Sequence, residues 1–112
     1  MTADEHAWID RFVAHLELER RVSEHTAAAY RRDLERLRVF CGRRGIAAWS
    51  GVDNALIRSF AAFEHAGGLA PRSVQRRLSA VRTFFEYLIR ERGCSRNPAI
   101  DVRSPKVKRT LP

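Results

Sequence analysis

Pro71-Arg-Ser-Val-Gln-Arg-Arg-Leu-Ser-Ala-Val-Arg-Thr-Phe-Phe-Glu-Tyr-Leu88 reads as one helix with two unlike faces. Val74, Leu78, Val81, Phe85 and Leu88 recur at helical spacing and predict a core-facing stripe. Pro71 suits the first turn, where its missing N–H would have no partner in any case. Arg72, Ser73, Arg76, Arg77 and Thr83 fall on the opposite side, where guanidinium forks reach phosphates and guanine edges. A solvated cationic face has the same pattern, so the rest of the chain decides between the two.

The chain has 112 residues, enough for one domain with a modest core. Its formal charge is +8, and the 21 basic residues comprise 19 Arg and 2 Lys. Such a balance points to an anionic partner. The charge is uneven: residues 1–19 hold five acids and one base, residues 20–44 hold eight Arg and three acids, and residues 71–96 hold seven Arg and two acids. Two separated segments therefore carry the positive potential. The acidic first segment is not expected to lie on phosphates; packing against a neighbouring protomer and an ordinary solvated face both stand open for it.

Thr2-Ala-Asp-Glu5 has capping-box spacing and opens a first helix, with Trp8, Ile9, Phe12, Val13 and Leu16 on its core face, to about Leu18. Ser23 caps a second helix, with Glu24 in its first turn and Gly42 as its left-handed stop. Ala27, Tyr30, Leu34, Leu37 and Cys41 form its apolar stripe, and His25, Ala28, Ala29, Arg32 and Arg36 lie away from it. After a connector through Trp49, the stretch ending at Asp53 caps a third helix carrying Leu56, Ile57, Phe60 and Phe63, which Gly67-Gly68 ends. With only Arg58 against Asp53 and Glu64, this helix reads as scaffolding. Gly93 closes the fourth helix, and Asn97-Pro98 prevents simple continuation. Residues 1–100 are expected to form the domain, and the basic, proline-punctuated residues 101–112 a linker toward a further domain. The fold class is all-α, a small four-helix bundle.

Catalytic chemistry finds no foothold. His6, His15, His25 and His65 are scattered, without zinc-site spacing, and read as surface residues. Nucleotide-binding loops and nucleophile elbows are missing, so no metal, no cofactor and no catalytic residue is expected. Cys41 and Cys94 read as reduced, semi-buried thiols, and Tyr30 and Tyr87 as core residues. No run approaches the roughly 18 to 20 apolar residues that span a bilayer, and the acidic N-terminus lacks a signal-peptide core. A cytoplasmic location without membrane contact is the expectation.

Ser23-Glu-His-Thr-Ala-Ala-Ala-Tyr-Arg-Arg-Asp-Leu34, Pro71-Arg-Ser-Val-Gln-Arg-Arg-Leu-Ser-Ala80, and Asn97-Pro-Ala99 with Pro105-Lys106 and Leu111-Pro112 together resemble the tyrosine site-specific recombinases of the phage integrase family. The likeness runs from about Phe12 to Pro112, to the N-terminal core-binding, SAM-like domain of the bacterial Xer type. It implies a four-helix half-clamp on double-stranded DNA, with the second and fourth helices entering major grooves, the same pair that the charge distribution selects. It further implies a dif-like site, a XerD-like partner recombinase in a heterotetramer, and activation by a septal DNA translocase. The family's Arg, Lys, His, Arg and tyrosine nucleophile belong to a C-terminal domain, so this fragment is expected to be inert in strand transfer.

Phosphate contacts are expected from Arg31, Arg32, Arg36 and Arg77, and base-edge contacts from Arg72, Ser73, Arg76, His25 and Thr26. Three rivals stand beside this reading. Another integrase-family recombinase shares its pattern. A stand-alone helix-turn-helix regulator would join its two helices by a short turn, whereas here a whole helix intervenes. A helical protein-interaction module would show no affinity for duplex DNA.

Overall fold

Thr2 starts the first helix as its spacing predicts, its Oγ1 accepting a hydrogen bond from the Glu5 N–H at 3.3 Å. The other half of the expected capping box does not form. The Glu5 carboxylate instead accepts from the Trp49 N–H at 2.9 Å, and the Glu5 carbonyl accepts from the Trp49 indole at 2.7 Å. In the computed structural model, which describes residues 1–103, helices α1 (Ala3–Leu18), α2 (Glu24–Arg43), α3 (Asn54–Ala66) and α4 (Pro71–Arg90) are joined by loops, one containing a 3₁₀ turn (Trp49–Gly51). No strand occurs among the described residues.

Ser23 and Asp53 cap α2 and α3 by accepting from the N–H groups of Thr26 and Leu56. The N-termini of α1, α2 and α3 therefore lie where a local side chain can satisfy an orphan donor, whereas α4 starts on Pro71 without a side-chain cap. The C-termini of α1, at Leu18, and of α3, just before Gly67-Gly68, fall where expected, and those of α2 and α4 differ. Gly42 lies inside α2, and the left-handed glycine is Gly45, at φ 75°. Helix α4 stops at Arg90, three residues before Gly93. Gly93 serves close approach: a Cβ there would meet the Trp8 ring at 3.2 Å and Leu88 at 3.3 Å.

The predicted α4 stripe is fully buried, and Ala80, Phe84 and Tyr87 join it. Helices α2 and α4 each pack on the other three and form the centre of the bundle. Trp49, which the connector gave no reason to place inside, is buried edge-on against Phe84 and Phe85, at centroid distances of 4.9 and 6.1 Å. Trp8 is only half-buried, with Arg11 stacked over its ring at 4.7 Å. The α3 stripe rotates relative to its predicted phase: Phe63 is exposed, and Glu64 takes the inward position after Ile57, Phe60 and Ala61.

Beyond α4 the chain folds back onto the bundle. Asn97 donates to the Arg82 carbonyl, Asn54 donates to the Pro98 carbonyl, and Arg82 donates to the Val102 carbonyl at 3.0 Å. Ala99 and Val102 are buried, so packing reaches two residues past the expected boundary at 100. The rest of the expected linker, 104–112, lies outside the described residues.

Candidate nucleic-acid interface

Five charged side chains join α2, α3 and α4 into one alternating ladder. Asp33 of α2 accepts from Arg76 Nη1 at 2.7 Å and from Arg77 Nε at 3.0 Å. Glu64 of α3 forms an ion pair with Arg77 Nη1 at 3.0 Å and, through both carboxylate oxygens, accepts from Arg36 Nε and Nη2 at 3.0 and 2.8 Å. Arg77 thus sits between two carboxylates, and Arg76 and Arg36 form the ends. Exposure follows the same order. The Asp33, Glu64 and Arg77 side chains are 3%, 6% and 13% exposed, whereas Arg76 and Arg36 are 54% and 56% exposed. No buried side-chain nitrogen or oxygen among the described residues lacks a hydrogen-bond partner, as buried charge requires.

Burial alone would push the Glu64 carboxyl up; the hydrogen bond from Arg36, the charges of Arg77 and Arg36 and the hydrogen bond from Arg77 outweigh it and hold the group below the usual carboxylate range. The hydrogen bond and charge of Glu64 raise Arg36 in return. Three cations against two anions leave the ladder with one net positive charge, presented at its exposed ends.

The remaining expected contacts are placed differently from one another. Arg32 and Arg72 are exposed and make no ion pair or hydrogen bond to other described side chains; Arg32 stands one turn before Arg36, and Arg72 one turn before Arg76. His25 and Thr26 line a recess of about 300 Å³ between α2 and α4 together with Arg76 and Asp33. Ser73 is half-buried in the first turn of α4. Arg31 differs from the open phosphate fork expected of it: it pairs with Asp10 of α1 at 2.6 Å and ties those helices together. Arg77 differs more, since its guanidinium is enclosed by Asp33 and Glu64.

Reading the sequence by charge totals missed Asp33 and Glu64. Their phase was the available signal: Asp33 follows Tyr30 by three residues and precedes Leu37 by four, and Glu64 continues Ile57, Phe60 and Ala61. An acid in register with an apolar stripe is buried with a partner or not buried at all.

Burial pushes the Cys41 and Cys94 thiols up to about 11, far from the thiolate a nucleophile needs. Burial first, with the charge of Glu91, raises the Tyr87 hydroxyl. His15 departs from the expected surface position, its ring half-buried and tilted on Tyr87 at 5.1 Å. No cluster of three metal-ligating side chains occurs among the described residues, and no helix there is long and apolar enough to cross a membrane.

Four helices crossed by a basic α2–α4 edge define an all-α SAM-like domain, a class shared with a solved structure. The N-terminal domain of a phage integrase/site-specific recombinase from Haloarcula marismortui superposes with a TM-score of 0.79, covering 90% of this chain and 95% of that one, at 17% identity. Residues 9–92 match the family model described as phage integrase, N-terminal SAM-like domain, and the chain belongs to that family. Among curated relatives, tyrosine recombinase XerC of Pseudomonas syringae pv. syringae is 44% identical over 109 residues, 97% of this chain and 36% of the relative. The XerC proteins of Azotobacter vinelandii and Xanthomonas campestris pv. campestris are 44% and 42% identical over 104 residues. The chain spans about a third of the length of these relatives.

Proposed function

We propose that this chain grips duplex DNA as the core-binding domain of a XerC-like tyrosine recombinase, laying α2 and α4 in adjacent stretches of major groove. The observation that carries this reading is the shared edge of those helices, where Arg32, Arg36, Arg72 and Arg76 stand exposed while Asp33, Glu64 and Arg77 lie beneath. Arg32, Arg36 and Arg72 contact phosphates and set register; Arg76, Ser73, His25 and Thr26 approach base edges and choose sequence. Arg77 supports this face from within the bundle, and Arg31 from its surface ion pair with Asp10, rather than touching phosphate.

The whole protein in this reading is a cytoplasmic recombinase that cuts and rejoins DNA at a dif-like site through a 3′-phosphotyrosyl link. It works in a heterotetramer with a XerD-like recombinase, under a septal DNA translocase. The catalytic residues lie outside these 112 positions, and the fragment alone transfers no strands. The likeness to XerC supports these assignments.

Titrating the isotope-labelled chain with a dif-like duplex tests the proposal. Amide shifts are expected to concentrate at residues 25–36 and 72–83. Arg76→Ala is expected to cost about 1–3 kcal/mol with a matching fall in discrimination. Perturbations centred on α1 or α3 would overturn the proposed face.

A further inference from the structure

Asp33 and Glu64 stand where DNA binding alone least calls for them. Each places a negative charge directly beneath a face proposed to meet phosphates, and each is almost stripped of water. Holding helices together does not account for them either, because apolar groups of similar volume often replace buried ion pairs at no loss of stability. What a carboxylate supplies and an apolar group does not is the direction of a guanidinium plane. Glu64 takes Arg36 fork to fork through Nε and Nη2, leaving Nη1 unengaged by it. Asp33 takes only Nη1 of Arg76, leaving the Nε and Nη2 donors to other partners. Arg77 joins the two carboxylates, so both outer forks are set by one rigid unit.

We infer that Asp33 and Glu64 are specificity-determining positioning residues, which orient Arg76 and Arg36 before DNA arrives. They lower the unspecific attraction of the face and raise its discrimination among base sequences. The inference rests on the DNA-binding reading above. Its physical basis is preorganisation: an arginine already held in its bound direction loses less freedom on binding the sequence that fits it, and gains nothing on one that does not.

Asp33→Asn and Glu64→Gln are nearly isosteric and remove one negative charge each. Their binding is read by fluorescence anisotropy on a dif-like duplex and on a scrambled duplex of equal length and composition, from low to moderate salt. Each variant is expected to bind the scrambled duplex at least as tightly as the unmodified chain, with a log-log salt slope steeper by up to about 0.9, while preference for the dif-like duplex falls at least fivefold in Asp33→Asn, which frees the base-reading Arg76, and by less in Glu64→Gln, which frees the phosphate-contacting Arg36 and reaches Arg76 only through Arg77. An unchanged preference, or equal weakening on both duplexes, overturns the inference and leaves the carboxylates as stabilising ions. So does an unmodified chain that binds without preference, since it has no discrimination to lose. Failure of the unmodified chain to bind either duplex is a separate result, which removes the DNA-binding reading itself. Should melting curves show that neither variant folds, ¹⁵N relaxation of the arginine side chains in the unmodified chain decides the matter. The Nε–H groups of Arg36 and Arg77 are expected to be rigid and those of Arg32 and Arg72 mobile; an Arg36 as mobile as Arg32 overturns the inference.

Discussion

At the scale of single residues, arginines that composition treats alike do different physical work. Arg77, enclosed between Asp33 and Glu64, balances two buried carboxylates. Arg77→Met is expected to lower stability by about 3–5 kcal/mol, because it leaves those charges underpaired in a low-dielectric setting; urea unfolding checks this. Arg32→Ala, which removes an exposed cation with no partner among the described side chains, is expected to leave the unfolding midpoint in place and to weaken DNA binding. The Glu64 carboxyl is held below its usual range in the fold, so the folded state binds its proton less readily than the unfolded chain does. Its contribution to stability is therefore present at neutral pH, begins to fade near the unfolded carboxylate value of about 4.3, and is lost as pH falls through the folded value. Thermal melts should show Glu64→Gln flattening this acid limb; an unchanged limb would mean that Glu64 contributes nothing to it. These pairings were only half legible in the sequence. The phase of Asp33 and Glu64 within apolar stripes was visible, but their partners lie 13 to 44 residues away and become neighbours only when three helices pack.

For individual elements, the starts of helices were the most legible feature because caps act within three residues. Thr2, Ser23 and Asp53 each accept from the N–H three positions on, and Ser23→Ala is expected to cost about 1 kcal/mol in thermal unfolding. Helix ends were less legible, because a glycine can be required by its neighbours rather than by its own φ. Gly93 is such a case: Gly93→Ala is expected to be destabilising, since the added methyl meets Trp8 and Leu88 rather than open space. The apolar stripe of α4 announced a core helix, and Phe84→Ala should remove about 3–5 kcal/mol by opening a cavity beside Phe12, Trp49 and Phe85. Trp49 had no such announcement. Its connector carries no period, and its place depends on two hydrogen bonds to Glu5 in another helix.

For the molecule as a whole, charge distribution along the sequence already selected α2 and α4, and the fold places these helices together at the centre with one edge exposed. What the totals overstated was the number of unpaired cations: Arg77 is held within the bundle, Arg31 is paired with Asp10 at the surface, and Arg36 and Arg76 share their charge with buried acids. The face that remains is smaller and more ordered than a simple arginine count implies. Binding of duplex DNA by this edge is tested most directly by fluorescence anisotropy of the chain and its Arg32→Ala/Arg72→Ala variant on a dif-like duplex between low and moderate salt. The unmodified chain is predicted to lose affinity linearly on log-log axes, and the variant, lacking two phosphate contacts, to show a slope shallower by about 1.8. Affinity independent of salt, or an identical slope for both proteins, would contradict it.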